Sequence, residues 1–559
     1  MWSRSLEHYP DTGRRYMYLG IVGLSAVVLY YVYYIPAAVT PSIIEQYNHG
    51  FRFFVYILVV ANAIGAFASL LAGLADRWGR ANMVVGGLLI SSALVAFGLP
   101  NAPNFWTFAV LYCMLGFIEG VCLVAIPALV RDFSPQLGRG VAMSFFAIGP
   151  VAGALAVAEV SSNTLNHLHA WQDQFIIAGV VGLVTSAIAL AFLRELSPGL
   201  RDQLMVSFKD RALVEAKAAG VDIEQVLEHP WKQMLHLDVI GSSLGLGIFL
   251  VLYYSIIGFF VAYMVTTFGF TEQRANSLGV WMWAFNIGSV VVIGVISDRV
   301  RVRKPFMVMG ALGAMAATAL FALRTSHPDT GYYTFVWIIS LMALFFGFVF
   351  VSWLAGFSET VERRNPALTA TGLAVWGWIL RVAVSVSLFV LPFVVTSMTP
   401  LIEHGTKLQV IQARYPAVVQ TLQAIDSRTA ATLAATPTNG PAISTAVTEI
   451  STRLHVTPPA ALQRLVAVSK VAATPQGKAD LAYLQAYGPT AQKAQAVAPG
   501  EWRRWWWVGL GCQAAFLPFI FLIKGRWRPS RARRDEEEHE RRVAEELRML
   551  QQPLRSAAD

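Results

Sequence analysis

Predominantly apolar runs of about 20 residues, the length an α-helix needs to cross a hydrocarbon layer roughly 30 Å thick, recur along this chain. Read with that window they fall at 17–39, 51–75, 82–99, 105–130, 140–160 and 175–193. After a polar stretch at 194–237 they resume at 239–265, 278–296, 306–323, 334–357, 370–395 and 505–523. The pattern predicts an all-α polytopic membrane protein with twelve transmembrane helices, divided six and six. The first run is too long for a cleaved signal peptide and leads straight into further spans. Charged residues occupy only 14% of the 559 positions, against about 25% in soluble domains. That deficit excludes an ordinary soluble enzyme and a disordered scaffold. The three cysteines, Cys113, Cys122 and Cys512, lie inside apolar runs and build neither a disulfide framework nor a metal cluster.

The net charge of +9 does not point to nucleic acid, because the basic residues sit in short patches between the spans. Arg14, Arg15, Arg77, Arg80, Arg131, Arg139, Arg299, Arg301, Arg303, Lys304, Arg363 and Arg364 all fall on one side of the expected membrane. Loops 41–50 and 100–104 on the other side carry almost none. Short basic loops mark the cytoplasmic face, so both termini are expected inside a cell membrane. The chain then divides into a first bundle (1–193), a cytoplasmic linker (194–237), spans seven to eleven (238–395), an extracytoplasmic helical insert (396–503), a twelfth span (504–524) and a charged cytoplasmic tail (525–559). The insert, rich in Ala, Thr, Val and Gln, reads as a helical cap or spacer.

The two halves carry matched residues at matched places, the sign of a repeat-built membrane protein. Leu29-Tyr30-Tyr31 in the first span pairs with Leu252-Tyr253-Tyr254 in the seventh. Asp76-Arg77 after the second pairs with Asp298-Arg299 after the eighth, and Gly140-Val141-Ala142 with Gly372-Leu373-Ala374. The loop Gly73-Leu74-Ala75-Asp76-Arg77-Trp78-Gly79-Arg80 resembles the signature of the major facilitator superfamily between spans two and three, with Ala72 at the usual first-glycine position. Pro127 to Asp132 with Arg139-Gly140, and Glu359, Arg363 and Gly372, resemble further landmarks of that family. The resemblance implies two pseudo-symmetric six-helix bundles. It also implies secondary active transport of a small organic solute by alternating access, and a central cavity faced by spans one, four, seven and ten. Asp76, Arg77, Arg80, Asp298 and Arg299 are the expected conformational latch, because such charges at helix ends pair in one state and separate in the other.

Charges inside a span cost several kcal/mol and are functional candidates by default. Two lie near mid-depth: Glu119 in span four and Arg381 in span eleven. A buried carboxylate can take up and release a proton as water access alternates, which makes Glu119 the expected coupling residue. A structural pair, with Arg381 itself as partner, is the competing reading. Arg381 offers a planar fork to an anion. Tyr30, Tyr31, Tyr253, Tyr254, Asn62, Asn286 and Trp376 are the other expected substrate contacts, and the crowding of Tyr30, Tyr31, Tyr33 and Tyr34 means that they cannot all face one site. Residues 147–153 resemble an antiporter motif, yet Gly116 stands where drug–proton exporters carry an arginine. These two signals conflict and leave the direction of transport open; proton-coupled symport of an organic anion is the leading expectation. A proton-driven exporter of amphipathic compounds, and a non-transporting sensor or scaffold, are the alternatives. With no Gly-rich phosphate loop, ATP is not expected as energy source. The expected partners are solute, proton and lipid bilayer around a monomer, with no cofactor, metal or nucleic acid.

Overall fold

The computed structural model describes residues 5–47, 49–69, 79–133, 139–197, 200, 234–327, 329–364, 369–436, 438–531, 533–534, 537–538 and 541. Asp76 and Arg77 of the expected latch, most of the linker and most of the tail lie outside them. The first half contains α1 (Thr12–Ala38), α2 (Thr40–Tyr47), α3 (Phe51–Ser69), α4 (Arg80–Ala93, prolonged by a wider turn at Leu94–Gly98), α5 (Phe105–Phe133), α6 (Arg139–Thr164) and α7 (Trp171–Phe192). The second contains α8 (Leu237–Phe249), α9 (Val251–Phe268), α10 (Glu272–Val300), α11 (Lys304–Arg324), α12 (Tyr332–Arg364) and α13 (Thr369–Val394). Eleven helices among the described residues are long and apolar enough to cross a membrane, with α8 and α9 forming one span that breaks at Leu250. The 26-residue α6 stands beside those eleven and packs along α1.

Several helix ends follow from local sequence. Asp11 caps α1 by accepting from the Arg14 amide, and Thr271 does the same for α10 from Arg274. Gly269 closes α9 at a φ of 66°. Between helices, close approach comes from small residues, as expected where lipid leaves packing as the main cohesive force. Gly153 of α6 lies against the Tyr30 and Tyr31 backbone of α1, and Gly182 of α7 against Ser92 of α4. Apolar side chains such as Phe67 (71% exposed), Trp106 (64%) and Trp337 (66%) point outward, the surface that lipid covers.

At the basic end of the first bundle a short parallel pair, β1 (Ser5–Leu6) with β2 (Glu195–Leu196), ties the N-terminus to the chain after α7. It delivers Glu195, whose Oε2 accepts from the Ala81 amide at the start of α4, a favourable place for negative charge. Gly79 next to it has a φ of 90°, and the Glu195 carboxylate occupies the volume that a Cβ would need. Gly79→Ala is therefore expected to lower stability by about 1–3 kcal/mol through combined backbone strain and displaced carboxylate. Thermal unfolding in detergent reads this out, and an unchanged midpoint would contradict it.

The stretch 396–498 forms a second compact unit. It holds α14 (Met398–Arg414), α15 (Pro416–Gln423), α16 (Ser427–Ala435), α17 (Gly440–Leu454), α18 (Pro458–Ala472) and the beginning of α19 (Pro475–Phe516). Its core gathers Ala424, Ile425, Ala446, Ile450 and Ala461. Elsewhere in it His404 stacks on Tyr487 and meets the Tyr483 hydroxyl at 2.9 Å. Burial holds the His404 imidazole below its usual range, so it is neutral at pH 7. The sequence places the start of the twelfth span at 504, whereas α19 runs without interruption from Pro475. Pro499 and Gly500 lie within that helix and do not end it.

Candidate functional site

Contacts between the two bundles run through α1–α9, α3–α13 and α6–α10, related pairs in a two-fold repeat. Among the described residues, hydrogen bonds cross that boundary in two places: the middle of the spans, and the end opposite the basic loops.

In the middle, Glu119 and Arg381 meet. Glu119 lies near the midpoint of the 29-residue α5, and Arg381 near that of the 26-residue α13. Arg381 Nη2 donates to Glu119 Oε2 at 3.2 Å, and Glu119 is only 4% exposed. Arg381 Nη1 donates to Asn62 Oδ1 at 3.4 Å. Asn62 in turn donates Nδ2 to the Arg381 carbonyl at 3.2 Å and to Ser385 Oγ at 2.8 Å. One amide thus fastens α3 to two turns of α13 while accepting from the guanidinium.

The reach of Arg381 into the opposite bundle depends on three glycines. A Cβ on Gly65 of α3 would stand 2.9 Å from both Arg381 Nη1 and the Gly116 carbonyl. One on Gly116 would stand 2.7 Å from the Ala61 carbonyl, and one on Gly120 would overlap the Gly65 carbonyl. With Gly116 and Gly120 four apart on one face of α5, α3 and α5 come into backbone contact. Gly65 then leaves the notch through which the guanidinium passes.

Of the expected aromatic contacts, Tyr30 and Tyr254 fall within the electrostatic reach of the pair, as does Tyr33. Tyr33 stacks on Tyr112 of α5 at 5.9 Å, and Tyr30 packs on Tyr34 at 5.4 Å. Tyr253 contacts Tyr254, Trp283 and Phe346. The other expected contacts are placed differently. Tyr31 is 2% exposed, and its hydroxyl has no partner among the described residues. Asn286 does not mirror Asn62: it donates to the Ala343 carbonyl at 2.7 Å and, with Ser289 on the Leu344 carbonyl, joins α10 to α12 inside the second bundle. Trp376 stands five residues before Arg381, roughly 140° around the helix, and packs on Trp353 at 5.5 Å. Ser385, Tyr112 and Gly65 join the site without having been singled out as contacts in the sequence. Only their helical spacing from Arg381 and Glu119 hinted at them.

At the basic end, Arg80 pairs with the buried Asp132 at 2.7 Å. In the second half Asp298 pairs with Arg303 at 2.6 Å, and Arg303 Nε also donates to Glu359 at 3.0 Å. Arg303 rather than Arg299 is the partner, because Arg301 adopts a φ of 60° and turns the chain back on itself. Arg299 stays exposed.

This geometry can bind and release charge. It contains one carboxylate that neutralises one guanidinium, each from a different bundle, ringed by phenols. Removing the carboxylate charge leaves a cation with free donors facing aromatic walls.

The sequence model of the Major Facilitator Superfamily matches residues 22–404. The putative metabolite transport protein YncC of Bacillus subtilis (strain 168) is 24% identical over 366 residues, 60% of this chain and 75% of its own length. The multidrug resistance protein MdtG of Salmonella choleraesuis (strain SC-B67) is 31% identical over 123 residues, 22% of this chain and 30% of its own. Among solved structures, a bacterial homologue of the human lysosomal transporter Spinster, inward-facing and occupied, aligns with a TM-score of 0.54 at 14% identity, over 92% of this chain and 97% of that one. A D-xylose-proton symporter aligns at 0.51 and 16% identity, over 67% of this chain and 89% of its own.

Proposed function

The chain belongs to the major facilitator superfamily, and from that premise we propose that it is a proton-coupled symporter of a small organic anion, with Glu119 as proton carrier and Arg381 as anion site. It is a multi-pass membrane transporter and not an enzyme. The observation that carries the finer reading is the buried ion pair at 3.2 Å that links the two bundles. While Glu119 is ionised it occupies Arg381. Once Glu119 is protonated, the guanidinium needs another anion, and a substrate carboxylate, phosphate or sulfonate fits its planar fork. Proton and anion then load together, and the phenols of Tyr30, Tyr33 and Tyr254 suit the apolar body of the solute. The name of the Bacillus relative, a metabolite transport protein, agrees with a small solute. Both termini are assigned to the cytoplasm from the basic loops, and the protein is assigned to act as a monomer.

A proton-driven exporter is the second reading. It is favoured by the 31% match to a multidrug resistance protein and by the antiporter-like 147–153 segment, whose Gly153 packs on Tyr30. Uptake into proteoliposomes under an imposed pH gradient separates the two. With acid outside, a small organic anion should accumulate and amphipathic cations should not. Proton-driven movement of amphipathic compounds alone would install the exporter reading instead.

A further inference from the structure

We propose that the backbone break between α1 and α2 is an outer latch, completed from the opposite bundle by Glu272 and Asn276 of α10. The break follows Pro36: α1 ends at Ala38, Val39 leaves the helical conformation, and α2 starts at Thr40. Such a break leaves a carbonyl and an amide without helical partners, and its own sequence cannot satisfy them. Val39, at the cap position of α2, has no side-chain acceptor; Pro41 has no N–H; and the Thr40 hydroxyl is committed to the Pro36 carbonyl at 2.9 Å. The first turn of α10 supplies what is missing. Glu272 Oε1 accepts from both the Ser42 amide at 3.0 Å and the Ser42 hydroxyl at 2.8 Å. Asn276, one turn later, donates to the Ala38 carbonyl at 3.0 Å. Gln273 between them donates to the Ser162 carbonyl at the end of α6.

Three side chains of one helix turn therefore close backbone valences on α1, α2 and α6. Beneath them lies a small apolar void lined by Tyr34, Val157, Phe260, Met282 and Trp283. Gly279 packs against Ala158 at its edge, and Phe51 of α3 packs on Phe259 of α9. When the bundles part at this end, the break loses its trans partners, so every outward opening must release Glu272 and Asn276 first. The orientation proposed above identifies this end as the outer one; the latch itself does not depend on that assignment or on the transported solute.

The test uses the full chain with its three native cysteines replaced and a reporter cysteine at Val157→Cys, labelled with an impermeant maleimide in right-side-out and inside-out vesicles. Glu272→Ala should speed labelling by roughly tenfold, the scale of a hydrogen bond to a charged acceptor, from the outer face alone. Glu272→Gln keeps an acceptor for Ser42 and should stay within about twofold of the parent. Asn276→Ala, which removes the other bond, should also accelerate labelling. An unchanged rate in both alanine variants overturns the latch. Acceleration in Glu272→Ala from both faces, with loss of a monodisperse protein, reports misfolding, and Asn276→Ala then decides by the same criterion. Acceleration from the inner face alone reverses the orientation and leaves the latch standing.

Discussion

Glu119→Gln is expected to abolish proton-driven accumulation while exchange of labelled for unlabelled substrate continues. One proton carried with one monovalent anion under a gradient of about one pH unit supports at most a roughly tenfold accumulation, since one unit is worth about 1.36 kcal/mol. The variant should bring that ratio to about one. Gln is isosteric, keeps an acceptor for Arg381 Nη2 at the 3.2 Å contact, and mimics a carboxyl that never releases its proton. Exchange needs no release, so it survives. If the pair serves folding alone, Glu119→Ala and Arg381→Ala should each cost about 3–5 kcal/mol by stranding a buried charge, and the double change Glu119→Gln with Arg381→Gln should restore abundance. Full accumulation in Glu119→Gln would end the carrier role.

The second large effect is expected from Gly120→Ala. A methyl group there falls on the Gly65 carbonyl, a backbone atom that cannot rotate away, so α3 and α5 must separate. Overpacking of this kind costs about 1–3 kcal/mol or more, a large share of a typical total of about 5–15. Separation also displaces Gly65 from the guanidinium and withdraws Glu119 from Arg381. Both the melting point in detergent and transport should fall, whereas Gly86→Ala, with nothing within 4 Å of the added methyl, should change neither. Wild-type behaviour of Gly120→Ala would mean that the contact between α3 and α5 is looser than drawn.

These two predictions rest on different depths of sequence reading. Glu119 and Arg381 stand out because each is a lone charge in an apolar run, and the spans that carry them follow from hydropathy alone. Their mutual contact does not, since it depends on which way α13 is turned and on glycines whose role is only to be absent as side chains. Asn62 and Asn286, both expected contacts, are placed differently for the same reason. In the second bundle Gly347 lets α12 approach α10 at Ser289, and the amide of Asn286 is spent on that joint. Trp376 lies close to Arg381 in sequence yet on another side of the helix. The contact of Asp298 with Arg303 depends on a left-handed residue, Arg301, that composition does not reveal. The extent of α19 was obscured because its first half is too polar to read as part of a span.

The pairing of Ser5–Leu6 with Glu195–Leu196 also sets a schedule for biosynthesis. The N-terminal strand leaves the ribosome first, but its partner follows only about 190 residues later, a delay of roughly 10–40 s at usual elongation rates. Until then Glu195 cannot sit at the start of α4, and the first bundle lacks its closing seam. Any bulky fusion at the N-terminus would compete for that seam during the wait, which makes the opposite terminus the gentler place to attach a purification handle.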